Sequence, residues 1–503
     1  MQAGHSRSAD LVIASNRAVS GLRTGPDGRV TAASGAGGLV NVLGPALASH
    51  GGVWIGCAMT EQDRALARGR RPGERAQRVE LPEGPVSVRL LDIAPTDYAA
   101  YYQRVSTELF WFLQHELLEL VRWPGAELGP SEEDWITYRQ VNAAFAVACD
   151  EEAAPGARVL LQDYHLSLAP RQLRALRPDL AIAHFTMVPW AEPETVQRLP
   201  KAMARELIAG LLGADMVSFL VPRWADAFLR TCAAYGYAID RERLTVLDAG
   251  GRPVAVRCFP NGVDADLLRA RAGEPDVAGH RSELARMVGD RALVVRVDRM
   301  EPSKNILRGL DGFAELFARH PELHGRVVHF VLAYASRTGL PAYDQYAEEV
   351  VRRAAAINDQ LGDQLGDQLG TATWQPIVLE TENNFGRGLA AMALADVLVV
   401  NPLRDGMNLV AKEGPIVSER DLALVLSTGA GAAWELADGA LLVEPLDVGA
   451  LADAIAAGLA MAPAARAERL ARLRRHAGAL PPRRWLSESL AELERVCSEQ
   501  RSR

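Results

Sequence analysis

Residues 395–413 read Ala395-Asp396-Val397-Leu398-Val399-Val400-Asn401-Pro402-Leu403-Arg404-Asp405-Gly406-Met407-Asn408-Leu409-Val410-Ala411-Lys412-Glu413, and the fold is decided here. The run 395–400 is short, apolar and rich in β-branched residues, which suits a parallel strand buried on both faces. Leu409 to Val417 reads as a helix, so Asp405-Gly406-Met407-Asn408 falls on a strand-to-helix turn. A helix beginning there aims unpaired amides and the positive end of its dipole at whatever occupies the turn, and a phosphate matches both. Glu413 falls in the first turns of that helix, within reach of a ribose beside the phosphates. The same residues also suit a plain βα turn in which Asp405 and Asn408 only cap the helix. On this stretch alone both readings stand.

Working outward, the pattern of strand, loop and helix repeats on both sides. Downstream, Leu422 to Ser427 is a strand followed by Gly429-Ala430-Gly431, and helices are expected over 448–459, 464–477 and 485–499. Upstream, Ala292 to Val297 is a strand running into Asp298-Arg299-Met300-Glu301-Pro302-Ser303-Lys304-Asn305, with an amphipathic helix over 306–319. Two cations five residues apart on such a loop can grip one diphosphate through charge-assisted hydrogen bonds. A solvated surface pair is the plainer alternative for Arg299 and Lys304. Val327 to Leu332 is the next strand and leads to Ser336-Arg337. The threefold Asp-Gln-Leu-Gly repeat at 359–370 is read as a low-complexity surface insertion without chemistry.

The first half alternates in the same way. Leu11 to Ala14 is a strand ending at Ser15-Asn16-Arg17, and Ser34-Gly35-Ala36-Gly37-Gly38-Leu39 is a glycine-rich turn before a helix, in itself a weak signal. Asp97 to Glu119 is an aromatic helix with Tyr101, Tyr102, Phe110, Trp111 and Phe112. Strands over 158–161, 180–185 and 214–219 complete a doubly wound sheet. Gly250-Gly251-Arg252-Pro253 and Arg257-Cys258-Phe259-Pro260-Asn261-Gly262 read as turn and linker. The expected organisation is therefore α/β: a Rossmann-like domain over 1–255, a second over 256–480, and a last helix over 481–503 packing back on the first. Two such domains facing one another across a central cleft would bring Arg17 and Arg337 to one site on closure.

The 503 residues suffice for two or three domains. A net charge of −8 argues against a general nucleic-acid binder, so an anionic ligand needs a local cation cluster. Five scattered cysteines without CxxC spacing point away from disulfide frameworks and zinc sites and towards a reducing cytoplasm. No signal peptide or membrane-spanning run is read from the sequence.

In order along the chain, Ser15-Asn16-Arg17, Gly37-Gly38-Leu39, Tyr101-Tyr102 with Trp111, Asp163-Tyr164-His165-Leu166, Arg299 with Lys304, Ser336-Arg337 and 403–413 resemble the motifs of trehalose-6-phosphate synthases. The resemblance runs from about Leu11 to about Leu459. It implies a retaining GT-B glycosyltransferase of family 20 that moves glucose from UDP-glucose, or a GDP-linked equivalent, to glucose 6-phosphate with no metal or other cofactor. It also implies site roles. Gly38, Arg299 and Lys304 would face the donor diphosphate, with Leu409 and Val410 adding amides. Asp405, Gly406, Met407 and Asn408 would contact the donor sugar, and Glu413 the ribose. Arg17, Tyr102, Trp111 and Arg337 would hold the acceptor phosphate, with Asp163 beside the acceptor hydroxyls. Asp163, Arg299, Lys304 and Asp405 form the implied catalytic set. The partners are then two small molecules, with no nucleic acid or membrane, in a chain that could form homo-oligomers.

Three positions depart from the family pattern. Met187 stands where a histidine contacts the donor hexose, Gln162 where the family has the first histidine of His-Asp-Tyr-His-Leu, and Cys57 where it has a tryptophan. A thioether supplies neither the hydrogen bond nor the charge of imidazole. Two alternatives therefore accompany the main expectation: a pseudo-glycosyltransferase coupling a nucleotide-activated cyclitol to an aminocyclitol phosphate, and a non-catalytic sugar-phosphate sensor.

Overall fold

The computed structural model describes residues 9–19, 21–25, 29–32, 43–44, 47, 51–70, 74, 76–81, 84–121, 129–369 and 374–502. The chain divides into two compact units, Met1–Pro260 with Pro482–Arg503, and Asn261–Pro481.

The first unit is built on strands β1 (Ala9–Ala14), β2 (Leu22–Thr24), β3 (Val30–Ala32), β4 (Val53–Cys57), β5 (Gln77–Leu81), β6 (Gly84–Leu91), β7 (Ala153–Gln162), β8 (Ala181–Thr186), β9 (Met216–Phe219), β10 (Ile239–Asp240), β11 (Thr245–Leu247) and β12 (Pro253–Cys258). Their order across the sheet is β10-β11-β12-β9-β8-β7-β1-β4-β6-β5-β3-β2. The centre, from β12 through β1 to β6, is parallel. Leu11 to Ala14, Val53 to Cys57 and Met216 to Phe219 are buried along their whole length, as helices on both faces of a parallel sheet require. Antiparallel pairs add β10 and β11 beyond β12, and β5 beyond β6.

The stretch read as turn and linker around 250–262 contains β12. Its Ala255 to Cys258 pair with Met216 to Phe219, so the unit ends after Pro260, five residues beyond the expected boundary at 255. The last helix, Pro482–Arg501, belongs to the first unit, with Trp485, Leu486, Leu490 and Leu493 buried. Its Trp485 indole donates to the Phe259 carbonyl at 3.2 Å and meets the Phe185 ring edge-on.

The second unit holds β13 (Ala292–Met300), β14 (Val327–Ala335), β15 (Ile377–Glu380), β16 (Val397–Val400), β17 (Ala423–Ser427) and β18 (Leu441–Val443), ordered β15-β14-β13-β16-β17-β18 and parallel throughout. One side of its core joins Val294, Val331, Val397 and Val425 to Leu310, Phe313 and Phe317 of the helix Ile306–Arg319 and to Leu451 and Ile455 of the helix Val448–Ala460. The repeat at 359–369 continues the helix Pro341–Leu369. Among the described residues, no single helix is long and apolar enough to cross a membrane.

Among the parallel strands β12-β9-β8-β7-β1-β4-β6 of the first sheet, and across the whole second sheet, the chain reverses its direction of winding once. The reversal lies between β1 and β7 in the first unit and between β13 and β16 in the second. Open parallel sheets bind ligands outside the carboxyl ends of the strands at that point.

Candidate active site

At the reversal in the second unit, β13 delivers Arg299 and the turn Pro302–Lys304, while β16 delivers the loop 401–409. The loop is stitched to its surroundings by backbone bonds. Leu403 N–H donates to Ser303, Asp405 N–H to Gly429, Gly431 N–H to Asp405 and Ala432 N–H to Met407. The close approach explains the glycines after β17. A Cβ on Gly429 would lie 2.1 Å from the Leu403 oxygen, and one on Gly431 would lie 1.9 Å from the Gly406 oxygen.

The helix starts at Val410, and the amides of Leu409 and Val410 precede its first backbone bonds, which run from Lys412 and Glu413 to the Leu409 carbonyl at 2.8 Å. Asn408 reaches the turn with φ of +78°, a left-handed conformation that asparagine tolerates, and donates from Nδ2 to Asp405 Oδ2 at 3.2 Å. The Met407 side chain is buried in the protein and is not presented to solvent.

The charges converge on the same point. Lys304 Nζ is 2.5 Å from Asp405 Oδ2 and 3.9 Å from Asp298. Burial would depress the Lys304 ammonium, but Asp405 and Asp298 outweigh it and hold its pKa above the usual lysine range. Arg299 pairs with the fully buried Glu301 at 2.9 Å. From the neighbouring β14, Ser336 donates to Glu301 at 2.8 Å, and Arg337 lies 3.9 Å from the same oxygen with φ of +48°. Burial would raise the Glu301 carboxyl. The guanidiniums of Arg299 and Arg337, with Lys304, bring it instead to about 2. The Glu413 carboxyl, on the helix face near Tyr334, has burial as its only cause of shift and is pushed up to about 7. Arg299, Lys304, Arg337, Asp405, Asn408 and Glu413 thus belong to one unit, and the carboxyl ends of three adjacent strands place them.

In the first unit, Arg17 follows β1 and Asp163 follows β7, the two strands flanking the reversal. Asp163 has φ of +69°, which costs a residue with a Cβ about 1 kcal/mol or more. Three contacts sustain it. Its carboxylate accepts the Tyr164 N–H at 3.0 Å and the Met187 N–H at 3.1 Å, and its carbonyl accepts His184 Nε2–H at 3.1 Å. Burial pushes the His184 imidazole down to about 4 and keeps it neutral.

The aromatic segment is a short helix, Pro95–Tyr98, followed by wide π-helical turns over Ala99–Trp111, where Ser106 and Thr107 hydroxyls bond carbonyls five residues back. This winding stacks Tyr102 between Tyr98 and His165, at 5.3 and 5.7 Å, with Arg17 at 5.3 Å over the Tyr102 ring. Trp111 stacks on His115 at 4.0 Å and meets Tyr164 at 6.1 Å. Gly38 lies outside the described residues.

Of the three departures, Cys57 and Gln162 are each 1% exposed, whereas Met187 is partly exposed and joined to Asp163 through its own amide. Only Met187 therefore changes a surface that a sugar could touch. Sequence reading assigned no role to Glu301 or His184. Glu301 lay inside the quoted loop, but the pairing of its side chain depends on a neighbouring strand. His184 carried no local signal at all.

The family model of glycosyltransferase family 20 matches residues 9–495. The trehalose-6-phosphate synthase of Mycobacterium tuberculosis is 33% identical across 96% of this chain and 94% of that protein. The bifunctional trehalose-6-phosphate synthase/phosphatase of Thermoproteus tenax is 33% identical across 81% of this chain, which spans only 52% of that protein's length. Among solved structures, the UDP-forming α,α-trehalose-phosphate synthase of Burkholderia xenovorans in complex with glucose-6-phosphate superposes with a TM-score of 0.81 at 25% identity, covering 96% of this chain and 99% of that one. The Escherichia coli protein bound with UDP-2-fluoro glucose gives 0.80 at 25% identity, covering 96% and 98%. With a parallel α/β sheet in each unit, cations and an amide-rich turn at the reversal of the second, and a family match along nearly its whole length, the chain belongs to glycosyltransferase family 20.

Proposed function

We propose that the protein transfers glucose, with retention, from a nucleotide-sugar of the UDP-glucose type to glucose 6-phosphate, giving trehalose 6-phosphate. The observation that carries this reading is the cluster of Arg299, Lys304 and the 405–410 turn at the reversal of the second sheet. It suits a diphosphate leaving group. As the sugar–phosphate bond breaks, negative charge grows on the diphosphate, and fixed cations and amides stabilise it without reorganising. Lys304 is held by Asp405 beforehand, so an arriving diphosphate shares a cation that is already positioned. Asp405 and the backbone of 406–408 take the sugar, and Glu413 the ribose. The acceptor hydroxyl attacks from the face that the leaving group vacates, and the departing phosphate takes its proton.

Within the first unit we assign Arg17, Tyr102 and Trp111 to phosphate recognition and Asp163 to the acceptor sugar; within the second we assign Arg337 to the acceptor phosphate. Met187 is compatible with this reaction at a weaker grip on the donor hexose. Arg299 and Lys304 supply the charge compensation that a metal supplies elsewhere, so we expect turnover to survive EDTA. The two substrates are small cytoplasmic metabolites, and the cytoplasm is the compartment we assign.

The test is product formation from UDP-glucose and GDP-glucose with glucose 6-phosphate, analysed by mass and by anomeric configuration. Binding of UDP and glucose 6-phosphate without turnover of either donor would overturn the proposal in favour of a sensor.

A further inference from the structure

We propose that Glu301 is the positioning residue that holds Arg299 and Arg337 in register, so that donor and acceptor binding are coupled through one buried carboxylate. The inference rests on the reading above, in which Arg299 faces the donor diphosphate and Arg337 the acceptor phosphate. What it adds is a link between the two.

The link is visible in the geometry of adjacent strands. Arg299 pairs in register with Tyr334, and Met300 with Ala335, so the residues following β14 come up beside those ending β13. Glu301 lies between them, with no exposed surface. A single oxygen, Oε1, is 2.9 Å from Arg299 Nη1, accepts the Ser336 hydroxyl at 2.8 Å and lies 3.9 Å from Arg337 Nη1. Arg337 also donates to the Tyr343 hydroxyl and lies over the Tyr343 ring at 5.3 Å.

Three physical consequences follow. The two guanidiniums are close enough to repel each other, and the shared carboxylate offsets that repulsion. A buried carboxylate stripped of its cations is costly, so Glu301 stays charged and fixed between them. A phosphate that draws on one guanidinium changes how strongly the carboxylate holds the other. Lys304 makes its ion pairs with Asp405 and Asp298 and acts on Glu301 only at longer range, as a further charge that keeps the carboxylate ionised. The positive φ of Arg337 adds to the case, because a long side chain in that conformation needs tertiary contacts to keep it there.

The experiment uses the full-length chain and the isosteric variant Glu301→Gln, which removes the charge and keeps the shape. Calorimetry reads the Kd of UDP, the Kd of glucose 6-phosphate, and the Kd of UDP at saturating glucose 6-phosphate. In Glu301→Gln both separate Kd values should rise about tenfold, the scale of a weakened charge-assisted contact. The effect of one ligand on the other's Kd should shrink towards none, while a cooperative melt, at a lower temperature because two guanidiniums lose their shared counter-charge, shows that the variant is folded. Glu301→Asp, which keeps the charge, should recover part of the coupling. Ser336→Ala, which perturbs the same oxygen more gently, should move both Kd values in the same direction by a smaller factor and keeps the test available if Glu301→Gln does not fold.

A Glu301→Gln protein in which only one Kd changes, or in which the coupling is intact, overturns the inference. Should the parent bind neither UDP nor glucose 6-phosphate, the proposed function fails separately. Titration with inorganic pyrophosphate and with inorganic phosphate then decides the bridge: weakening of both by Glu301→Gln supports it, and weakening of one or neither overturns it.

Discussion

Glu413 carries a carboxyl pushed up to about 7 by burial, in the first turn of the helix that follows the 401–409 loop. Only the ionised form accepts hydrogen bonds through both oxygens from ribose hydroxyls. Donor affinity should therefore be full above pH 7 and weaken with each unit below it, approaching a tenfold loss per unit. A plot of log KM for the nucleotide-sugar against pH checks this, and Glu413→Gln should flatten it. His184 titrates the other way. Its imidazole is pushed down to about 4 by burial, against about 6.5 in an unfolded chain. Between those values the unfolded state binds more protons, so stability falls as the pH drops from 6.5 towards 4 and is unaffected above 6.5. The loss reaches roughly 3 kcal/mol. His329, pushed down to about 3 by burial and by Arg296, adds a loss of the same sign. Urea midpoints at neutral and acidic pH should show a shallower acid loss for His184→Phe than for the parent. Met187 marks the third change at this scale. Met187→His puts in place the imidazole that the family resemblance implies at this position, and kcat/KM for glucosyl transfer should rise about tenfold, the worth of one hydrogen bond to an otherwise unpaired group.

At the scale of elements, the 401–409 loop keeps its shape because β17 presents glycines to it. Alanine at Gly431 would put a Cβ 1.9 Å from a backbone oxygen, which flexible side chains cannot relieve. Gly431→Ala should move Gly406 and Met407, raise the donor KM at least tenfold and lower stability by roughly 1–3 kcal/mol, the usual cost of overpacking. A structure of that variant with the loop unmoved would contradict this account. Lys412, inside the same run of sequence, has a structural part in this arrangement. It is buried, 2.8 Å from the Asn261 carbonyl and 2.5 Å from Glu435, and it fixes the helix 410–417 to the beginning of the second unit. In the first unit, buried Asp63 does comparable work. Its carboxylate accepts the amides of Gly21, Leu22, Met59 and Thr60, tying the segment after Arg17 to the start of the helix Glu61–Gly69.

For the whole molecule, the two units differ in how the chain composes them. The second is continuous from Asn261 to Pro481, whereas the first needs a helix from the far end of the sequence. A fragment spanning 261–481 should fold alone and give a cooperative melt. A chain ending at Pro481 should lose the cooperative melt of its first unit, because Trp485, Leu486 and Leu490 leave the core. The point version is Trp485→Ala, which should cost about 3–5 kcal/mol and also forfeits the bond to Phe259. Denaturant melts that resolve the two units separately would check both statements.

The sequence by itself determined the alternation of strand and helix, because an apolar β-branched run such as 397–400 and an amphipathic run such as 306–319 carry their periodicity locally. It also determined that Arg17, Asp163, Lys304, Arg337 and Asp405 lie on loops beyond strand ends; Arg299, read as part of the loop after a strand ending at Val297, instead lies within β13, which pairs with β14 as far as Met300. The first unit runs to Pro260, within the stretch 250–262 where the boundary was expected and five residues beyond the bound of 255, because β12 is a short strand that resembles a linker until β9 pairs with it. Only the tertiary structure decided which strands lie side by side, and with that the point at which each sheet reverses. The joining of Arg299 to Arg337 through Glu301, the support of Asp163 by His184, and the glycine contacts of the 401–409 loop all depend on residues distant in sequence. Side-chain pairing across strands is set by register, and register is a property of the assembled sheet.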